Sequence, residues 1–189
     1  MAMDWNRAQV VLEPAGPDRT AEVLEVLDDA AGWLGSRGIA QWPARFEAAR
    51  IAGALSRGET WLAVVGPGDE PAGRGRVAGT VTLDWADPLW ADAAGAAGYV
   101  HRLAVRRWAA GLGGHVLDWA ADAARARGAG FLRLDCVATN ARLRAYYESR
   151  GFAHRGDVQV AGAPGGPAAE RPVIRHSRYE LALAGAATR

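Results

Sequence analysis

Tyr99-Val100-His101-Arg102-Leu103-Ala104-Val105, followed by Arg106-Arg107-Trp108-Ala109-Ala110-Gly111-Leu112-Gly113-Gly114-His115, decides how the chain is read. The first seven residues read as a strand. The second run opens a helix whose apolar positions Leu112, Val116, Trp119, Ala120 and Ala123 share one face until Arg127-Gly128 ends it. Between strand and helix, unpaired backbone N–H groups and the positive end of the helix dipole face outward, which makes an anion site. Glycine lets a phosphate approach those amides, and the arginines upstream add charge-assisted bonds. A pyrophosphate would suit the site; the plainer alternative is a glycine-rich turn with no ligand. A dinucleotide fold would need a parallel sheet and an acid about 20 residues on. A Walker loop is excluded, because the chain contains no lysine.

Working outward, Arg7–Leu12 is a valine-rich strand that stops at Glu13-Pro14-Ala15-Gly16-Pro17. From Thr20, Val23, Leu27, Ala30, Ala31 and Leu34 recur at helical spacing until Gly38, and Pro43 can open a second helix that ends at Arg57-Gly58. Thr60–Val65 and Arg76–Trp85 read as a hairpin around the long loop Gly66–Gly75. Phe131–Val137 alternates as a fifth strand. Thr139 or Asn140 can cap a helix running to Arg150 and closed by Gly151, and Phe152–Val158 and Val173–Leu183 are the last strands. The segment Gly162–Glu170 between them is expected to be mobile. The predicted order is β-α-α-β-β-β-α-β-α-β-β, an α/β fold with a mixed, mostly antiparallel sheet flanked by helices.

The second constellation is Asn140, Leu143, Tyr146, Tyr147, Gly151 and Phe152, set between two strands. With it, the stretch from Tyr99 to Phe152 resembles the Gcn5-related N-acetyltransferase (GNAT) superfamily, and the element order extends the likeness to nearly the whole chain. The resemblance implies one acyl-CoA-dependent N-acetyltransferase domain over residues 1–189, with acetyl-CoA in the splay between strands four and five. Backbone groups of the Leu103-Ala104-Val105 run would pair with the pantetheine arm and polarise the thioester carbonyl. Arg106 and the loop amides of Ala109, Ala110, Gly111, Leu112, Gly113 and Gly114 would hold the pyrophosphate. Asn140 and Tyr146 would contact the cofactor, and Tyr147 would protonate the departing thiolate after direct attack by an amine. Tyr146 stands where an apolar residue is usual. The loop also departs from the family pattern: it is about two residues short. Aligned by the apolar face of the helix, Arg106 takes the first position and Ala109 replaces a glycine; matched on Gly111 and Gly113, Trp108 replaces the basic residue.

Only a neutral amine attacks, so a base is needed. His101 is the first candidate, two residues before Leu103 and on the same face if the strand is regular; Tyr99 and Asp84 are alternatives, as is a histidine simply satisfied by its neighbours. His115 suits a phosphate neighbour or solvent, and His154 and His176 lie on late strands without obvious partners. Four scattered histidines give no metal-ligand spacing. Cys136 reads as a buried, inert thiol. Trp33, Trp42, Phe46, Trp85 and Trp90 make the acceptor region aromatic, either as core or as ring faces for a hydrophobic or cationic acceptor.

Composition bounds the rest. The chain has 189 residues, half of them hydrophobic, and a net charge of +1 from 22 arginines and 21 acids, which suits one domain and offers no field for nucleic acid or an anionic membrane. One cysteine allows no internal disulfide and fits a reducing compartment, and no run approaches the roughly 20 apolar residues that span a bilayer. The chain is therefore expected in the cytoplasm, acting on a small amine, with a homodimer possible. The rival reading is a non-catalytic module that senses acyl-CoA or binds a protein on the same fold.

Overall fold

Alternation along each strand puts apolar side chains on one face of a sheet and a row of polar ones on the other, and that division organises the chain. The computed structural model describes residues 10–39, 41–66, 75–161 and 173–183. Its elements are β1 Val10–Pro14, α1 Thr20–Ser36, α2 Ala49–Ser56, β2 Thr60–Val65, β3 Arg76–Asp84, β4 Ala97–Val105, α3 Leu112–Ala126, β5 Phe131–Val137, α4 Ala141–Ser149, β6 Ala153–Ala161 and β7 Val173–Ala182. This is the order expected from the sequence. The strands form one sheet, β1-β2-β3-β4-β5-β7-β6, in which β4 and β5 run parallel and the other pairs antiparallel. The loops expected at 67–74 and 162–170, and residues 7–9 of the first strand, lie outside the described residues.

One helix boundary differs from the expectation. Pro43 does not open α2, which begins at Ala49. Phe46 is buried between α1 and α2, and its N–H donates to Asp28 Oδ1 at 2.8 Å, so its amide is committed across the fold rather than along a helix. Trp42 packs edge-on against Phe46 at 5.5 Å.

The two faces of the sheet have different cores. On one, Leu83, Val100, Leu132, Leu134, Cys136 and Tyr179 meet the stripe Leu112, Val116, Leu117, Ala120 and Ala124 of α3. Each aliphatic side chain of this size contributes about 1.5–3 kcal/mol by leaving water. On the other, Val23, Val26 and Leu27 of α1 and Ile51 and Leu55 of α2 cover Leu62, Val64 and Ala104. That second face also carries polar residues in register: Thr82 opposite His101, Asp84 opposite Tyr99, Tyr99 beside Arg133, Arg133 opposite Glu180, and Asp135 opposite Arg178.

A charge buried in a sheet needs partners, and Arg133, only 1% exposed, has them all. It donates to Glu180 Oε2 at 2.8 Å, to the Tyr99 hydroxyl at 3.2 Å and to the carbonyl oxygens of Ala94 and Gly95 at 2.5 and 3.4 Å. Arg178 pairs with Asp92 and donates to the Leu89 carbonyl at 2.8 Å. Trp90 lies between the two guanidinium groups, 5.1 Å from one and 5.0 Å from the other. Segment 86–96 is thereby fastened across the polar face. Replacing Arg133 with Ala strands Glu180 and releases that segment; a loss of about 3–5 kcal/mol in unfolding free energy is expected, measured by chemical denaturation.

Candidate active site

Parallel pairing between β4 and β5 runs from Ala97 and Phe131 to Val100 and Leu134 and goes no further. Beyond it β4 carries a bulge against β3, where Thr82 pairs with His101 but Thr80 with Ala104, so two residues of β4 face Val81. Arg102 takes up the extra residue at φ +50, a left-handed conformation unusual for a branched-chain-sized side chain. Burial depresses the basicity of its guanidinium, which donates to the Arg50 carbonyl of α2 at 3.2 Å. The strand is therefore not regular, and the expectation that His101 and Leu103 share a face fails: the bulge leaves His101 on the face of Ala104, toward α1, and turns Leu103 toward the α3 core.

A cavity of about 550 Å³ opens where the strands part. One wall holds Leu103, Ala104, Val105, Arg107, Gly111, Gly113, Asn140, Tyr146 and Tyr147; the other holds Trp33, Leu34, Ile39, Gln41, Trp42, His101, Asp135 and His176. Gly111 precedes α3 at φ +94 and supplies no side-chain cap; the Gly114 N–H reaches back to the Gly111 carbonyl at 3.4 Å, and the amides of Leu112 and Gly113 open the 15-residue helix toward an anion. Beside Gly113 the Tyr146 hydroxyl is close enough to touch a side chain placed there, at 3.6 Å. Ala109 and Leu112 are fully buried, and the Ala109 N–H is committed to the Arg106 carbonyl at 2.9 Å. Arg106 turns away to α1, 3.2 Å from Glu25 and 3.9 Å from Asp29, and Arg107 faces the cavity in its place.

Asn140 rather than Thr139 caps α4: its Oδ1 accepts from the Leu143 N–H at 3.2 Å, and its Nδ2 donates to Gln41 Oε1 at 3.4 Å. Tyr147 packs among Tyr146, Phe152 and Tyr179 at 5.8, 5.9 and 5.7 Å. Burial raises its phenol well above the ordinary tyrosine range, so it keeps its proton at neutral pH. The Cys136 thiol is pushed up to about 12, first by burial and then by Asp135, and is inert as expected.

The opposite wall gathers residues the sequence left scattered. His176 was expected to lack a partner; its Nδ1 lies 2.6 Å from Asp135 Oδ2. His154 also has one, Asp157 at 2.9 Å, on the exposed part of β6. His101 Nε2 lies 3.6 Å from both Asp84 Oδ2 and Asp87 Oδ2. Tyr99 accepts from Arg133 and stands outside the cavity lining. Of the aromatic set, Trp33 and Trp42 line the cavity, Phe46 and Trp90 are core, and Trp85 lies under Arg127 at 4.3 Å. Sequence reading missed Gln41, Asp135 and His176 in the lining and Asp87 beside His101. For Asp135 a signal was present, since Arg133 and Asp135 alternate with Leu132, Leu134 and Cys136 and so place two charges on one face of a buried strand.

Residues 27–152 match the acetyltransferase (GNAT) family. The chain belongs to the GNAT family of acetyltransferases. It is 31% identical over 149 residues to the uncharacterized N-acetyltransferase YesJ of Bacillus subtilis, covering 76% of this chain and 81% of that one. A GNAT-family acetyltransferase of Listeria monocytogenes superposes with a TM-score of 0.69 at 24% identity, over 92% of this chain and 95% of that one. The acetyltransferase yncA of Salmonella typhimurium, solved with acetyl-CoA, gives 0.61 at 15% identity, over 96% and 98%. Acetyl-CoA is the co-substrate of the GNAT family, and the uncapped α3 terminus, the free edge of β4 and the cavity between them fit it. Among the described residues no helix is long and apolar enough to cross a membrane.

Two outcomes follow from this geometry. Gly111→Ala forces a side chain into the left-handed region, and about 1–2 kcal/mol of stability should be lost together with acetyl-CoA affinity, read by denaturation and calorimetry. Asp84 is held above its ordinary value of 3.8, first by burial, against the pull of His101 and with the push of Glu59. An acid raised in the fold favours folding below its unfolded pKa and loses that contribution as pH rises through the folded one. Asp84→Asn should therefore melt higher than the native chain at pH 7, and the gain should vanish below about pH 3.8.

Proposed function

We propose that the chain acts as a single N-acetyltransferase domain over residues 1–189, moving the acetyl group of acetyl-CoA to a small primary or secondary amine by direct attack. The observation that carries this is the cavity at the β4–β5 divergence, with a phosphate-ready helix end and a buried tyrosine on one wall and an imidazole backed by carboxylates on the other. Acetyl-CoA supplies an activated thioester. The β4 edge from Leu103 to Val105 would take its pantetheine arm as an added strand, with backbone N–H groups aimed at the developing oxyanion. Amides at the α3 entry, from Gly111 to Gly113, with Arg107, would hold the pyrophosphate, and Arg106 contributes through its grip on α1.

Tyr147 then serves as the acid. Its raised pKa suits a donor that must stay protonated until a thiolate leaves. His101 takes the proton of the incoming amine, with Asp84 and Asp87 stabilising the imidazolium that results. We place the reaction in the cytoplasm, and a dimer through the β6 edge is compatible with an open cavity.

The test is acetyl-CoA titration by calorimetry followed by an amine screen for thiol release. Tyr147→Phe should lower kcat about 100-fold or more while leaving acetyl-CoA affinity within about twofold. Binding without thiol release from any amine would assign the chain to acyl-CoA sensing instead.

A further inference from the structure

Beside His101 of the acceptor wall stands the carboxylate of Asp87, of which the fold hydrogen-bonds only one oxygen. Asp87 opens the turn at residues 88–90, and its Oδ1 accepts from the Leu89 N–H at 2.9 Å. Its Oδ2 is buried and has no hydrogen-bond partner among the described residues, although the side chain is only 7% exposed. A buried oxygen left in this state is destabilising unless something comes to meet it. Segment 86–96 cannot swing away to rehydrate it, because Arg133 and Arg178 hold that segment from below.

What comes to meet it is set by the neighbours. One ligand atom from each of Asp87, His101 and Asp135 lies within 4.8 Å of the other two. Three points so spaced always leave a position no more than about 2.8 Å from all of them, which is the length of a charge-assisted N–H···O bond. An ammonium group has three N–H donors for three such acceptors. Asp135 is kept in place by His176 at 2.6 Å; Arg133 and Arg178 are already paired with Glu180 and Asp92, and Arg102, next to His101 in β4, donates to the Arg50 carbonyl at 3.2 Å.

Apart from Gln41, the rest of the wall is apolar: Trp33, Leu34, Ile39 and Trp42. With Asp135 engaged by the first charge, a second positive charge placed there meets no other carboxylate among the described lining residues, and one cation, that of Arg37, already sits over Trp33 at 5.3 Å. We propose that the acceptor is a primary alkylamine with an apolar body and a single charge, captured as its ammonium ion by Asp87, Asp135 and His101. This rests on the acetyltransferase reading and narrows it to a substrate class.

The step balances. The ammonium gives one proton to His101, and the nitrogen lone pair forms the C–N bond to the thioester carbonyl. The C–S bond then breaks with its electron pair on sulfur, which takes the proton of Tyr147. The nitrogen releases its second proton, which restores Tyr147 through solvent, and His101 returns its own to water. The net products are an amide, a thiol and one proton.

The experiment compares hexylamine, 2-phenylethylamine, 1,4-diaminobutane and a short peptide with a free N-terminus by thiol release from acetyl-CoA. It is run on the native chain and on Asp87→Asn, which keeps an oxygen for the Leu89 N–H. Hexylamine and 2-phenylethylamine should exceed the diamine and the peptide at least about tenfold in kcat/KM. Asp87→Asn should lower kcat/KM for hexylamine at least about 30-fold, mainly through KM, with acetyl-CoA affinity unchanged by calorimetry. A preference for the diamine or the peptide, or an Asp87→Asn enzyme as efficient as the native one, overturns the assignment. So does zinc that binds the metal-free protein and is lost in Asp87→Asn while amine turnover is not. Failure of acetyl-CoA to bind the native chain would instead sink the underlying reading, and the calorimetric arm separates the two.

Discussion

The structure depends on one extra residue in β4. Arg102 stands at φ +50, a strain of about 1–3 kcal/mol held by the burial of its side chain and its bond to the Arg50 carbonyl. From that bulge come three consequences. Strand parity changes, so His101 and Ala104 face α1 while Leu103 faces α3. The strand leaves β5 after Val100, which opens the cavity. The β4 edge beyond it is left without a strand partner on that side among the described residues. A regular β4 would continue the parallel ladder and close the place where two substrates have to meet.

The side facing α1 carries a polar layer inside the sheet, and it persists because its two buried arginines are paired with carboxylates. Arg133 and Arg178 face Glu180 and Asp92 and also reach over to the carbonyls of segment 86–96. Their role is mechanical as much as electrostatic: they fix the backbone that carries Asp87. Two buried carboxylate oxygens, Asp84 Oδ1 and Asp87 Oδ2, are left without hydrogen-bond partners among the described residues, and both side chains flank His101.

The cofactor side is built by shorter-range devices. Gly111 supplies the left-handed entry to α3, Asn140 caps α4, and Gly151 at φ +86 ends it, so that Tyr147 falls on the buried face beside Phe152 and Tyr179. The loop before α3 brings an arginine to the cavity, and it is Arg107, because Arg106 is drawn to the acids of α1.

Sequence alone determined the order of elements, the glycine entry to α3, a cap of α4 at Thr139 or Asn140 and the burial of Cys136, because each is written in near neighbours: a period, a turn residue, a cap spacing. It also placed Leu103–Val105, Asn140, Tyr146 and Tyr147 together through their resemblance to a family. Tertiary structure alone decided the face on which His101 lies, the start of α2, the direction of Arg106, and the meeting of Asp87, His101, Asp135 and His176. Those four come from a loop and three strands, and pairs such as Asp135 and His176 are set by strand register across 41 residues. A one-residue bulge reverses the face of every side chain beyond it, and nothing in the local pattern of β4 records it, because the strain at Arg102 is held by α2, more than fifty residues earlier in the chain.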